Sequence, residues 1–233
     1  MRLASTALVL TALALPLHAE DMTVGFAVAK SGWMEAYDTP AATAAKIRID
    51  EINAAGGLLG RQIQVVEADT RTDRAESAKA GLDVLDQGAE MMVVSCDYDF
   101  GAPAALVAEG EGMNSFFLCA EDVKAGIQGV GPLSFSSSVL APVQGATMAE
   151  WAHAKREART AFVREDTFIE YNKGICTGFN WMFPQLDGAE IVGTDTFKND
   201  DASIASQITR IKDLPEQPDV IMLCSVMPGA AAA

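Results

Sequence analysis

Two acidic, aromatic loops hold the side chains of this chain best equipped for chemistry. Ser95-Cys96-Asp97-Tyr98-Asp99-Phe100-Gly101 presents two carboxylates and two further rings, and Cys119-Ala120-Glu121-Asp122 adds another pair of acids. Such a set repels an anion rather than binding it. Elsewhere Trp33, Tyr37, Phe168 and Tyr171 offer aromatic surface in or beside loops, where a ring serves equally as a ligand wall or as loop packing. Asp97-Tyr98-Asp99-Phe100-Gly101 also mimics the start of an EF-hand, but the third acidic position and the distal bidentate glutamate are missing, so calcium is not expected. Gly126, Gly129 and Gly131 do not have dinucleotide-loop spacing, and no Walker lysine follows a glycine run. His18 and His153 are the two histidines, too few for a multi-histidine metal site, and His153 is read as an ordinary helix residue. No cofactor, no metal and no catalytic residue is therefore assigned; acid–base work by the several carboxylates ranks third among the functional readings.

The elements that must position these loops alternate regularly. Met22–Val28 is an apolar strand. Thr39 and Pro40 have the spacing of an N-cap and first turn for a helix that Gly56-Gly57 ends. A strand follows over Arg61–Ala68, then a helix with capping-box spacing at Asp73 and Glu76. Met91–Cys96 and Ser115–Cys119 are buried-type strands separated by a helix over Pro103–Glu111. After a serine-rich stretch over Val130–Ser138 the alternation resumes: helix Val139–Arg156, strand Thr160–Arg164, helix Tyr171–Phe183, strand Glu190–Thr196, helix Ala202–Leu214 and strand Asp219–Cys224. Short apolar strands separated by helices predict an α/β protein with parallel sheets covered on both faces, in two doubly wound lobes. The lobes are placed at 20–137 and 138–233. The second is expected to be incomplete, because three strands leave a sheet edge and apolar helix faces uncovered. Ligands of such sheets bind beyond the carboxyl ends of the strands, where the loops above fall.

Composition narrows the partners. The 233 residues, 49% of them hydrophobic, suffice for one large or two small cores. A formal charge of −15 disfavours nucleic acid and anionic membranes. Arg2 and the apolar run Leu3–Leu15, closed by Leu17-His18-Ala19, have the form of a secretory signal over residues 1–19, too short to span a bilayer. A periplasmic location after export is the expectation. Cys96, Cys119, Cys176 and Cys224 lie far apart without a C-x-x-C. Cys96 and Cys119 fall at the ends of neighbouring parallel strands, about 4.8 Å apart and near the lower limit for a disulfide. Buried free thiols are the expectation there, with a Cys96–Cys119 bond as the alternative.

Ser31-Gly32, the run Asp50-Glu51-Ile52-Asn53-Ala54-Ala55-Gly56-Gly57-Leu58-Leu59-Gly60, the strand ending at Asp69, and Glu165-Asp166 with Tyr171 resemble the branched-chain amino acid binding proteins of ABC importers. That resemblance extends from about residue 22 to the end. It implies the type I periplasmic-binding-protein fold and a small polar ligand trapped between two lobes by hinge motion about Ser136–Ser138. It also implies a membrane permease as partner. A monomer is expected, and the lack of a cofactor motif, metal cluster or nucleophile–base pair makes enzymatic activity unexpected. Tyr37 matches the family's aromatic wall and Tyr171 its cleft-facing tyrosine. The 95–101 loop departs from the serine-rich carboxylate receptor of the amino-acid binders, Glu121 replaces a common threonine, and Ser225-Val226-Met227 stands where aromatics are common. These departures favour a donor-rich ligand: a cation, an amide or a polyol. Trp33, Tyr37, Asp97, Tyr98, Asp99, Ala120, Glu121 and Tyr171 are the predicted ligand contacts, with helix capping or solvation as the alternative for Asp99, Glu121 and Asp122. A ligand-sensing receptor ectodomain of the same fold remains the alternative to transport.

Overall fold

A computed structural model describes residues 20–199, 201 and 203–226, so the predicted signal segment and Met227 lie outside the described residues. Two parallel sheets follow one another along the chain. The first contains β1 (Met22–Val28), β2 (Ile63–Asp69), β3 (Met91–Val94), β4 (Asn114–Phe117) and β5 (Ser134–Phe135), in the order β2-β1-β3-β4-β5. Its helices are α1 (Glu35–Ala54), α2 (Arg74–Asp86) and α3 (Tyr98–Gly110). Beyond a link over residues 136–140, α4 (Ala141–Arg156), β6 (Thr160–Asp166), α5 (Glu170–Met182), β7 (Glu190–Phe197), α6 (Ala205–Lys212) and β8 (Val220–Cys224) build the second sheet, in the order β7-β6-β8. Every strand pairing is parallel, as the both-face apolar character of the strands predicts.

The strand period sorts the core into two layers. Val24, Phe26 and Val28 of β1 pack with Ala42, Ala45, Ile49 and Ile52 of α1, which recur at helical spacing. Ala27, Met92, Val94 and Phe117 face the other way, onto Ala80 and Val84 of α2 and the alanines of α3. The first sheet is thus covered on both faces. The I-N-A-x-G-G run has a structural explanation at its centre. Asn53 accepts from Ile63 N and donates to Ile63 O, both at 2.8 Å, fastening the end of α1 to the start of β2. Gly57 adopts φ +83, and a Cβ there would lie 2.1 Å from the Arg61 carbonyl oxygen, so a side chain is excluded on both counts.

In the second sheet α4 and α5 approach until their backbones touch. A Cβ on Gly145 would meet Ile175 O at 1.9 Å, and one on Gly178 would meet Pro142 O at 1.8 Å. Phe179 and Phe183 stack beneath this contact at 5.0 Å. Each is fully buried, which contributes roughly 1.5–3 kcal/mol per ring.

Two helix starts differ from expectation for one reason. Both α1 and α3 begin five residues before the proline at which the sequence reading places the helix start, so Pro40 and Pro103 each occupy the sixth helical position. Each removes one intrahelical hydrogen bond there. Thr39 is therefore not the cap of α1. Asp97 caps α3, accepting from Asp99 N at 2.8 Å. Asp73 caps α2 as predicted, through Ala75 N and Glu76 N, while Glu76 turns outward to Lys79 instead of closing the box.

The expectation of free thiols is overturned. Cys96 is bonded to Cys119, and Cys176 to Cys224, leaving no free cysteine among the described residues. Parallel pairing of β3 with β4 brings the first pair to a Cα separation of 4.3 Å across 23 residues of sequence. The second links the inner side of α5 to the end of β8, 48 residues away. Both closures are products of topology, so cysteine spacing alone did not reveal them.

Candidate ligand-binding site

In each sheet the strand order reverses direction beside the first strand of the unit: between β1 and β3 in one, between β6 and β8 in the other. Such switch points leave a crevice beyond the strand ends. The loops after β1, β3 and β4 meet those after β6 and β8 around a cavity of about 120 Å³, lined by Trp33, Met34, Tyr37, Cys96, Asp97, Cys119, Glu121, Ile169, Tyr171 and Val226. Five predicted contacts, Trp33, Tyr37, Asp97, Glu121 and Tyr171, converge there.

Trp33 stands edge-on to Tyr37 at 6.0 Å and to Phe100 at 5.6 Å, and Phe168 from the second sheet lies 6.0 Å away. These rings form an apolar backing continuous across the two sheets. The Cys96–Cys119 disulfide supplies another part of the wall.

The two acids of the wall have unusual titration. Burial pushes Asp97 up to about 7, with the Asp99 charge adding to the effect and the N–H groups of Asp99 and Phe100 together with Arg74 opposing it. Glu121 is also pushed up to about 7 by burial, against hydrogen bonds from its own backbone and from Gln144. Tyr171 donates to Gln144 Oε1 at 3.2 Å, and burial raises its hydroxyl to about 12, aided by Glu121 and Tyr37. Gln144 of α4 therefore ties together a loop acid of the first sheet and a ring of the second.

Three predicted contacts are placed elsewhere. Asp99 is paired with Arg74 and accepts from Glu170 N at 2.8 Å, so it bridges the sheets at the rim instead of facing the cavity. Tyr98 lies under the Lys124 ammonium, 5.5 Å from its ring centre, while Lys124 pairs with Glu170 at 2.6 Å. Ala120 is buried, and its carbonyl accepts from Ser136 Oγ. Asp122 caps a short 3-10 turn through Lys124 N at 2.7 Å, the capping role left open for it above.

Asp38, which sequence reasoning missed, organises the crevice from below. Its fully buried carboxylate accepts from Ala29 N at 2.7 Å, Cys96 N at 2.8 Å and Ser95 Oγ at 3.1 Å, joining α1 to the ends of β1 and β3. Burial raises its pKa while these three bonds lower it. A wider groove of about 400 Å³ runs outside α4 and α5 beside Trp181 and Met182, away from the strand ends.

A family model described as periplasmic binding protein matches residues 21–233. The chain belongs to the periplasmic binding protein family. Its architecture is the type I fold of that family, shared with branched-chain amino acid transporter binding proteins of known structure. The LivJ substrate-binding protein from Streptococcus pneumoniae, solved with isoleucine, is 26% identical, with a TM-score of 0.76 over 87% of this chain and 56% of that one. A substrate-binding protein from Desulfitobacterium hafniense, solved with Leu, is 15% identical, with a TM-score of 0.68 over 91% of this chain and 61% of the other. One from Rhodopseudomonas palustris, solved with 3,4-dihydroxybenzoic acid, is 17% identical, with a TM-score of 0.70 over 87% of this chain and 54% of that one. The chain thus spans little more than half the length of these proteins, and the two below 25% identity bear on the fold alone. None of the curated proteins matches the chain.

Proposed function

We propose that this is the extracytoplasmic solute-binding component of an ABC importer. It takes an amino acid or a related small polar molecule (an amide, an amine or a polyol) between lobes divided at residues 137 and 138, and delivers it unchanged to a membrane permease. It works as a monomer in the periplasm. Trp33, Tyr37, Asp97, Glu121 and Tyr171 contact the ligand. The observation that carries this reading is the meeting of two facing switch points on one cavity lined by rings and polar groups. The rim contacts of Asp99, Lys124 and Glu170 support a cleft that closes over its ligand.

The test uses the full natural chain carrying this sequence. Mass spectrometry of small molecules released by denaturation should identify a stoichiometric polar ligand. Restoring it to the stripped protein at one hundred times its dissociation constant should stabilise the fold by about 2.7 kcal/mol. Absence of any released molecule, with no compaction by small-angle scattering on adding periplasmic extract, contradicts the reading.

A further inference from the structure

The backbone and hydroxyl donors beside the cavity are already taken by the protein's own acids. Beyond β1 and β3, the N–H groups of Ala29 and Cys96 and the hydroxyl of Ser95 all donate to Asp38. At the start of α3, Asp99 N donates to Asp97. An incoming anion finds these donors occupied. It also finds no lysine, arginine or histidine among the described lining residues, and two carboxyl groups in their place. The nearby cations are engaged at the rim, Arg74 with Asp99 and Lys124 with Glu170. What the cavity does offer is three electron-rich rings, Trp33, Tyr37 and Tyr171, beside Asp97 and Glu121. Rings and carboxylates on one small enclosure are the chemistry that holds an ammonium group.

We propose that the cavity takes a small organic monocation, a primary or quaternary ammonium compound without a carboxylate. This rests on the solute-binding function above and narrows its ligand class. The charge arrangement also dictates how binding responds to pH. Asp97 is faced by Asp99, by Arg74 and by the N–H groups of Asp99 and Phe100; Glu121 by Gln144 and, across the cleft, by Tyr171. No group in these sets neutralises both acids, so each retains its proton in the empty cavity until near neutral pH. A bound cation stabilises the ionised forms, and binding expels protons to solvent.

Calorimetric titration of the stripped full-length protein with choline, ethanolamine, methylammonium, acetamide and leucine, at pH 6, 7 and 8, tests the proposal. At least one of the three cations should bind more tightly than acetamide and leucine. Its dissociation constant should fall by about tenfold per released proton between pH 6 and 7, and level off by pH 8. Titrations in buffers of different ionisation enthalpy count those protons directly. Asp97→Asn and Glu121→Gln, each confirmed folded by its melting transition, should weaken the cation at least tenfold and reduce proton release. Leucine or acetamide binding more tightly than every cation, or cation binding with no proton release, overturns the proposal and leaves the solute-binding reading standing. Absence of binding across the whole panel, with no ligand released on denaturation, overturns both.

Discussion

Replacing Asp38 should loosen the candidate site without touching its lining. The carboxylate accepts from three donors, of which the Ser95 hydroxyl can rotate toward another acceptor while the Ala29 and Cys96 N–H groups cannot. Both residues are buried, Ala29 completely and Cys96 to 5% exposure, so water does not readily replace the lost acceptor. Two stranded backbone donors cost about 1–3 kcal/mol each. Removing a buried acid whose pKa burial has raised returns part of that. The net expectation for Asp38→Ala is a loss of about 3 kcal/mol. With a urea slope near 3 kcal/mol/M, suited to a chain of this size, the unfolding midpoint should drop by about 1 M. Asp38→Asn keeps one acceptor oxygen and should fall between the variant and the parent. Because the same bonds hold the loops that carry Trp33 and Cys96, ligand affinity should fall along with stability. An Asp38→Ala midpoint within 0.2 M of the parent, with ligand affinity retained, refutes the claim that this carboxylate holds the loops.

Three further outcomes are expected. Asp38, Asp97 and Glu121 all hold protons more tightly in the folded chain, Asp97 and Glu121 up to about 7, so the folded state binds more protons than the unfolded one between about pH 4 and 7. Stability of the ligand-free protein should therefore fall as pH rises through that window, and denaturant melts at pH 5 and 7.5 that coincide contradict it. The lowered carboxyls, among them Glu67, Asp69 and Glu170, act oppositely and lose their contribution as pH falls below about 4.5. Thiol counting on the denatured, unreduced protein should give no free thiol. Reduction should lower stability by about 3 kcal/mol for the 23-residue closure and about 4 kcal/mol for the 48-residue one, and four thiols before reduction would remove both bonds from the account. Finally, Asp99→Ala removes the charged acceptor of Glu170 N across the cleft, worth about 2 kcal/mol, so ligand should dissociate roughly thirtyfold more readily. An unchanged dissociation rate in stopped flow argues against the rim contact holding the cleft shut.

Most of the fold was legible because its signals are local. Apolar strand runs, the Gly56-Gly57 stop and the Asp73 cap each act within a few residues, and the structure places those elements close to where the sequence did. Pro40 and Pro103 misled because proline marks a first turn by preference only, and packing carries both helices past it. The site was legible in part. Trp33, Asp97 and Glu121 sit in loops after strands, Tyr37 and Tyr171 in the first turns of the helices that follow them, and the switch-point rule gathers all five. Asp99 and Tyr98 share such a loop but point to the rim, a distinction set by helical phase from the Asp97 cap and by Arg74 and Lys124 arriving from elsewhere. Asp38 and Gln144 gave no sequence signal. Asp38 reaches Ser95 and Cys96 across 57 and 58 residues and Gln144 meets Tyr171 across 27, and only the assembled sheets bring these partners into reach.

The placement of Trp33 makes the molecule its own optical gauge. Of three tryptophans, Trp151 and Trp181 stand on the outer surface, 49% and 62% exposed, where their emission is that of an indole in water. Trp33 alone sits against the cavity, with rings of both sheets around it. A rearrangement at the cleft should therefore change the emission of Trp33 while leaving that of the two outer tryptophans unchanged. Substituting Trp151 and Trp181 by phenylalanine would isolate the Trp33 emission, so occupancy becomes readable by fluorescence without attaching a dye.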